Sequence, residues 1–324
     1  MTQYVSVNGK KYIVVDVDEK ITFADSWVIK ENKIGTGNGE AKLYLGQEAQ
    51  KLRHLYGRRP FVLNCFLLKK DLVSFLEDMQ PEYVSPQQDY SGAQRMQSLY
   101  DERLRIVENL SDTIEFTVEE QQQITGGRIY VKSSNEIWKV LRTLALPNIS
   151  YMSIMKVRSS KHASPLYYWR PFVDFDEGGV VRKWADQSMK NRKEEKSDYK
   201  KRPGRIGQEN FKRQLIQECR FCPFTDVNDE RLLIASHIKP WAKCTRSEQT
   251  DVKNGFLFTP TYDYLFDKGF ITFSDERHLI VSPWLAPMTL KRLALKNGKV
   301  VSNLPIEGRE EYLKYHREHQ FKGV

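Results

Sequence analysis

The chain has 324 residues, a formal net charge of +9 at pH 7, 40% hydrophobic residues and four cysteines. Its length allows two ordinary domains, and its apolar and aromatic content excludes an intrinsically disordered protein. Four irregularly spaced cysteines exclude a secreted disulfide scaffold, and without a signal-peptide pattern or a long apolar run we expect a cytoplasmic protein that does not enter the membrane.

The first part of the chain predicts an α+β domain over residues 1–180. Asn8-Gly9 separates two short apolar runs, and this pair accepts the positive φ of a tight β-hairpin turn. Ser133 and Glu136 are spaced as in a capping box, so we expect a helix to begin at Ser133. Periodicity predicts a further helix and four strands, the helix over 92–110 and the strands over 41–45, 61–68, 150–157 and 166–173.

The last of these strands contains a run of aromatic side chains, Tyr167-Tyr168-Trp169-Arg170. Such rings can stack on nucleic-acid bases. As an amphipathic strand, the same run would alternate between the core and the surface. We favour the second interpretation.

A strongly basic segment follows the predicted first domain. Residues 181–205 contain ten Lys or Arg against four Asp or Glu, which is +6 of the net charge of +9. This density suits a phosphate backbone, because each neutralised phosphate releases counterions. The other interpretation is a solvated linker that is extended by its own charge repulsion. We assign residues 181–204 as a basic linker.

The remaining residues, 205–324, predict a second domain. It begins with a helix over 206–218, and an apolar strand within 231–241 then carries His237 near its end. A polar loop leads to a second short strand within 251–258. Later patterns predict strands over 270–273 and 279–282 and a last helix over 310–319.

A short helix is predicted directly after the second strand. Thr259 is a good N-cap residue, and Pro260 suits the first helical position, where it gives up no hydrogen bond. Asp263 and Asp267 are four residues apart, so both carboxylates lie on one face of this helix.

The order of these elements resembles the HNH (ββα-metal) endonuclease family, and most closely the branch common in restriction endonucleases. The resemblance rests on a Ser-His-Ile-Lys-Pro-Trp strand at 236–241 and on an Asn-Gly segment at 254–269 that ends in Leu-Phe-Asp-Lys-Gly. A helix with Arg205 and Gln208 precedes them. The resemblance covers roughly residues 204–320 and depends on the joint spacing, because each piece alone has an ordinary structural explanation.

The resemblance implies metal-dependent hydrolysis of DNA, which leaves 5′-phosphate and 3′-hydroxyl ends, with His237 as the general base. Neutral histidine near pH 7 suits this role. Asn254 would orient His237 by holding the loop between the two strands. Asp263 and Asp267 would bind Mg²⁺ or Mn²⁺, because paired carboxylates form a hard-oxygen half-site.

Two residues depart from the motif. Ser236 stands where many HNH enzymes have a metal ligand before the catalytic histidine, and Asp263 replaces the final histidine of the motif's name. Only two protein ligands are therefore evident. His237 or a backbone carbonyl is a further candidate.

Two other patterns resemble metal sites, and we interpret neither as one. Cys219-x-x-Cys222 is spaced like half a structural zinc site, but the places of a second cysteine pair hold Thr259 and Tyr262. We therefore expect no structural zinc. His316-x-x-His319 lies at the polar end of the last helix, where the imidazoles would favour the helix dipole or contact DNA.

Together these patterns predict a two-domain DNA endonuclease of a restriction system, whose first domain recognises a sequence or a modified base. One HNH site cuts one strand, so a double-strand cut suggests a homodimer or two sequential events. The alternatives are a nickase or a low-specificity nuclease effector of another defence system, and a DNA-binding protein with an inactive nuclease fold. The candidate contacts to double-stranded DNA are Lys201, Arg202, Arg205 and Lys239.

Overall fold

A computed structural model describes residues 3–36, 39–47, 50–122, 127–159, 164–175 and 203–324, apart from the side chains of 203–209. The chain divides into two compact units, Met1–Glu195 and Lys196–Val324, and the described parts of both mix helices with strands. Most of the predicted basic linker, including Lys201 and Arg202, lies outside the described residues. No helix within the described ranges is long and apolar enough to cross a membrane.

Among the described residues, the N-terminal unit is built on one eight-stranded sheet. Its strands are β1 (Gln3–Val7), β2 (Lys10–Thr22), β3 (Leu43–Gln47), β4 (Val62–Leu68), β5 (Thr113–Gln121), β6 (Arg128–Lys132), β7 (Ser150–Arg158) and β8 (Leu166–Val173). Their order is β1-β2-β7-β8-β4-β5-β6-β3. Neighbouring strands are antiparallel except β4 and β8, which run parallel. The predicted hairpin is confirmed, since Asn8 and Gly9 have φ of 48° and 73°.

Four helices share one apolar core with this sheet: α1 (Gln50–Tyr56), α2 (Lys69–Val84), α3 (Met96–Glu108) and α4 (Glu136–Leu144). The sequence did not predict α1 or α2. Helix α2 contains a proline at position 81. The predicted cap of α4 is wrong. Asn135 caps this helix by accepting from the Ile137 amide at 3.0 Å. The Ser133 hydroxyl donates to the Thr117 carbonyl of the neighbouring strand at 2.6 Å and accepts from the Asn135 amide at 3.1 Å, ahead of the helix.

The aromatic run of β8 is buried on both faces of the strand, so the expected alternation with the surface is wrong. Tyr167, Tyr168 and Trp169 are each at most 3% exposed. Trp169 packs edge-on against Trp138, and the Tyr168 hydroxyl donates to Asp71 of α2. These rings are therefore core residues and do not present a surface for base stacking.

The C-terminal unit has its own apolar core, to which Phe211, Phe256, Phe266 and Leu313 belong. Its elements are α5 (Pro203–Cys219), β9 (Ile234–His237), β10 (Gly255–Phe258), α6 (Pro260–Asp267), β11 (Ile271–Phe273), β12 (Leu279–Val281), α7 (Pro287–Arg292) and α8 (Glu310–His319). Strand β9 pairs antiparallel with β10, and β11 with β12. The sequence did not predict α7, and β9 is shorter than expected because residues 230–232 form a 3₁₀ turn.

Candidate active site

Strands β9 and β10 and helix α6 form a ββα arrangement around the predicted site. His237 is the last residue of β9 and pairs with Gly255, the first residue of β10. The Ile238 amide donates to the Asn254 carbonyl at 3.1 Å. These contacts join the two ends of the loop 238–254 directly beside His237.

His237 is half-buried, and three neighbours hold its imidazole. Nε2 lies 3.1 Å from the carbonyl oxygen of Gln249. The ring stacks on Phe211 with 4.0 Å between centroids and meets Trp241 edge-on at 5.3 Å. A carbonyl only accepts hydrogen bonds, so the neutral imidazole carries its proton on Nε2 and keeps a lone pair on Nδ1. Burial lowers the pKa of His237, against the opposing effect of the Gln249 carbonyl, and favours this neutral form.

Asn254 is fully buried, and its amide joins separate parts of the same loop. Oδ1 accepts from the Lys239 amide at 2.8 Å. Nδ2 lies 3.1 Å from the Glu248 carbonyl and 3.2 Å from the Cys244 sulfur. Asn254 thus connects Lys239 with Glu248. Glu248 directly precedes Gln249, and the Gln249 carbonyl holds the imidazole of His237. The orienting role of Asn254 stays a prediction, and this geometry supports it.

Helix α6 places the two candidate metal ligands one turn apart. Asp263 is half-buried, next to the Ser236 hydroxyl of β9. Burial raises the pKa of the Asp263 carboxyl; the hydrogen bond from Ser236 opposes this rise, and the charge of Asp267 adds to it. Asp267 is more exposed, and its Oδ2 lies 3.4 Å from the Lys268 ammonium. A bound cation would relieve the repulsion between the two carboxylates.

The residues at this site fit a hard divalent cation with few protein ligands. Within the described ranges, no three His, Cys, Asp or Glu side chains are grouped to hold a metal ion. The candidate set is therefore Asp263 and Asp267, with the Ser236 hydroxyl beside the first. Carboxylate oxygens suit Mg²⁺ and Mn²⁺, and Mg²⁺ commonly keeps several waters. Metal binding at this pair stays a prediction.

Thr259 and Tyr262, which stand where a second cysteine pair would complete a zinc site, lie at the start of α6. The helix begins at Pro260 as predicted, but the Thr259 hydroxyl makes no capping hydrogen bond. It lies 3.8 Å from the Cys222 sulfur. Tyr262 stacks on Phe224 with 4.1 Å between ring centroids. Cys222 and the two positions that a second cysteine pair would occupy therefore belong to the packing of this unit.

Lys239, a candidate contact to DNA, is engaged within the protein. Its ammonium lies 2.8 and 2.9 Å from the two carboxylate oxygens of Glu248 and 5.3 Å from the ring centre of Tyr315. This ion pair neutralises the charge of Lys239 and ties the two sides of the loop. Three other candidates have no described side chain: Lys201 and Arg202 lie outside the described residues, and Arg205 lies on the first turns of α5.

Two close partners of His237, the Phe211 ring and the Gln249 carbonyl, were not predicted from the sequence. Gly255 permits the first contact, because a Cβ there would lie 2.6 Å from the Phe211 ring and 3.1 Å from Leu215. The φ of Gly255 is −158°, so its backbone is extended and the glycine serves close packing instead of a turn. The one available signal was a glycine within a strand, which often marks a close approach of this kind.

His316 is a core residue, contrary to the expectation of a polar or DNA-contacting position. Its side chain is 1% exposed and stacks on Phe266 with 4.0 Å between centroids. Nδ1 lies 2.9 Å from the Thr272 hydroxyl, and Nε2 lies 3.0 Å from the Phe266 carbonyl. Burial lowers the pKa of His316 to about 4, so the ring is neutral at neutral pH. It joins α8 to α6 and β11.

The ββα arrangement lies within a segment that matches a known protein family. Residues 222–274 match a protein-family model described as HNH endonuclease. This HNH segment contains β9, β10 and α6, and with them His237, Asn254, Asp263 and Asp267. The resemblance inferred from the sequence is confirmed for this part of the chain. The HNH segment indicates a nuclease with DNA as its substrate, and HNH nucleases generally use divalent metal ions. No curated protein matches the chain significantly.

Proposed function

We propose that this protein is a metal-dependent DNA endonuclease with His237 as the general base. One observation carries the proposal. Inside the HNH segment, the Gln249 carbonyl occupies Nε2 of His237, which leaves the Nδ1 lone pair to accept a proton. The lowered pKa of His237 keeps this lone pair unprotonated near neutral pH.

In the proposed reaction, a water molecule attacks the phosphorus while Nδ1 of His237 takes its proton. A new oxygen–phosphorus bond forms and the bond between phosphorus and the 3′ oxygen breaks. The departing oxygen takes a proton from solvent water, which leaves a 5′-phosphate and a 3′-hydroxyl. A divalent cation at Asp263 and Asp267 would neutralise phosphate charge and stabilise the leaving oxygen. Asn254 holds the loop 238–254 so that Gln249 keeps the imidazole in this orientation.

The general-base role is tested by replacing His237 and, separately, an exposed histidine of the same unit. His237→Ala is expected to lower the cleavage rate by about 10² to 10⁴-fold at saturating Mg²⁺. His278→Ala is the matched control and should cleave like the wild type, because the His278 side chain is exposed. Mg²⁺-dependent cleavage at an unchanged rate by His237→Ala would contradict the proposed mechanism.

Metal binding needs a separate measurement. We expect Asp263→Asn to raise the Mg²⁺ or Mn²⁺ concentration needed for half-maximal cleavage, because it removes one of two candidate carboxylate ligands. Full activity of this variant at low metal concentration would remove Asp263 from the proposed site. Chelation with EDTA should abolish cleavage by the wild type.

We further propose that the protein restricts foreign DNA, with the N-terminal unit recognising a sequence or a modified base. Double-strand cleavage would then require a homodimer or two sequential cuts. Digestion of plasmids of known sequence and methylation status tests this role. Discrete fragments support a restriction enzyme, nicked circles a nickase, and a smear a low-specificity effector. Binding without cleavage supports an inactive nuclease fold.

A further inference from the structure

A positively charged surface lies outside the matched HNH segment. Residues 279–306 contain four basic residues and no acidic residue. Two of them lie in the last turn of helix α7 and two in the chain that follows it. All four are exposed. We call this set the α7 basic surface: Lys291, Arg292, Lys296 and Lys299.

The backbone beneath this surface is held by the rest of the unit. Leu295 is buried in the apolar core between the charged positions. The Leu279 amide of β12 donates to the Lys299 carbonyl at 2.8 Å, and the Gly298 amide donates to the Leu279 carbonyl at the same distance. The four charges therefore stand on an anchored segment that extends the edge of β12.

The α7 basic surface differs from the basic residues around it in its lack of ion pairs. Lys239, Arg277 and Arg317 pair with carboxylates at 2.8, 2.5 and 2.9 Å. In the part of the chain that the structure describes, none of the four residues of the α7 basic surface forms an ion pair. Their positive charge is not used to hold the fold and is available to a polyanion.

We propose that the α7 basic surface binds the phosphate backbone of the DNA substrate. The inference rests on the proposed function, because DNA is the polyanion that an HNH nuclease unit engages. Lysine and arginine contacts to phosphates position a protein on a duplex without reading its sequence. The α7 basic surface therefore extends DNA contact beyond residues 222–274 and adds affinity for any sequence.

The test measures binding of the full-length protein to a fluorescently labelled DNA duplex by anisotropy, in EDTA and over a series of salt concentrations. The variant Lys291→Gln/Arg292→Gln/Lys296→Gln/Lys299→Gln should bind all sequences more weakly. Its plot of log association constant against log salt should become less steep by about 0.9 for each phosphate that the variant no longer neutralises. An unchanged melting temperature shows that the variant is folded.

Two controls separate a local surface from net charge. Lys291→Arg/Lys296→Arg/Lys299→Arg keeps the charge and should keep the salt dependence. Arg220→Gln/Lys314→Gln removes two exposed charges of the C-terminal unit outside the α7 basic surface and is compared with Lys296→Gln/Lys299→Gln. An equal loss of affinity in these two double variants overturns the inference, since net charge alone would then explain the binding.

The remaining outcomes distinguish this inference from the proposed function. The inference is overturned if the quadruple variant has an unchanged salt dependence. It is also overturned if the wild type does not bind duplex DNA. If the wild type cleaves DNA but the quadruple variant keeps its salt dependence, only the inference fails. If the salt dependence falls but the wild type never cleaves in Mg²⁺, the inference stands and the endonuclease proposal fails.

Discussion

The two units each bury an arginine and an asparagine, and they use these residues differently. In the N-terminal unit, Arg103 donates to the Tyr83 hydroxyl and to Oδ1 of Asn32. Nδ2 of Asn32 donates to the carbonyls of Thr143 and Ala145 at 2.9 and 2.7 Å. These bonds fasten the end of helix α4 to residues 30–32 inside an apolar core. We expect these bonds to contribute to stability.

In the C-terminal unit, the corresponding pair supports the candidate active site. Nη2 of Arg309 lies 2.7 Å from Glu218, and its Nε lies 3.0 Å from the Gly255 carbonyl. Asn254 precedes Gly255 and holds the loop 238–254. Both residues converge on the start of β10, which pairs with His237. We therefore expect comparable buried polar groups to support stability in one unit and the position of the candidate general base in the other. Matched substitutions should separate these effects.

The largest effect is expected from Arg309→Met. Arg309 is fully buried, whereas its partner Glu218 is partly exposed and keeps Lys253 at 2.9 Å, so the main loss is the buried donor to the Gly255 carbonyl. Leaving a buried acceptor unsatisfied costs about 1–3 kcal/mol, and we expect an unfolding free energy lower by about this amount together with slower cleavage below the melting transition. Arg103→Met is the matched control, which should lose stability but keep the cleavage rate of the folded protein. Urea unfolding and cleavage assays measure the two effects, and equal rates for both variants would remove the distinction.

The buried histidine of the C-terminal unit should make stability depend on pH. His316 has a pKa of about 4 in the folded protein against an ordinary value of 6.5. As the pH falls through this interval, the unfolded chain binds a proton that the folded protein excludes, so stability is lost. The unfolding free energy should fall by about 3 kcal/mol as the pH reaches the folded-state pKa of His316.

The contribution of His316 is isolated by measuring the unfolding free energy of the wild type and of His316→Gln across this pH interval. The other titrating groups are common to both proteins. The variant is expected to be less stable at neutral pH and to lose less stability on acidification. Parallel pH profiles would contradict the role of His316. His319→Gln is the control, since His319 is exposed on the same helix.

The two buried asparagines provide the sharpest comparison of site geometry with stability. Asn254→Ala removes the contacts that hold the loop 238–254, and a displacement of about 1 Å at a reacting group lowers rates by about 100-fold. Asn32→Ala also leaves buried partners unsatisfied, which costs about 1–3 kcal/mol. We expect an approximately 100-fold slower single-turnover cleavage only for Asn254→Ala. Similar rates for the two variants would show that the loop does not orient His237.

The smallest effect is expected from Gly255→Ala. Its added methyl group would lie 2.6 Å from the Phe211 ring and push helix α5 away from the stacked His237. Overpacking typically costs about 1–3 kcal/mol, and we expect cleavage about 10-fold slower through misplacement of the imidazole. Gly323→Ala is the control, because its methyl group would lie 3.6 Å from the Phe321 ring, an ordinary van der Waals distance. Full activity of Gly255→Ala would show that the stacking on Phe211 is dispensable.

Local patterns in the sequence predicted the hairpin at Asn8-Gly9, most strands of the sheet and the strand–strand–helix order around His237. Each depends on neighbouring residues, such as the positive φ of a turn or a proline at the start of a helix. The helix cap at Ser133 and the exposure of His316 were wrong, because distant segments decide which partner a hydroxyl or an imidazole finds.

The sequence by itself determined the HNH segment and the side chains that could perform its chemistry, since residue type and spacing decide which groups meet on one hairpin and one helix turn. Only the tertiary structure decided how those groups are held. The Gln249 carbonyl selects the tautomer of His237, and Phe211 stacks on the His237 ring. Glu248 forms an ion pair with Lys239. These contacts join segments that are separate in the chain, and a backbone carbonyl carries no signal in its residue type.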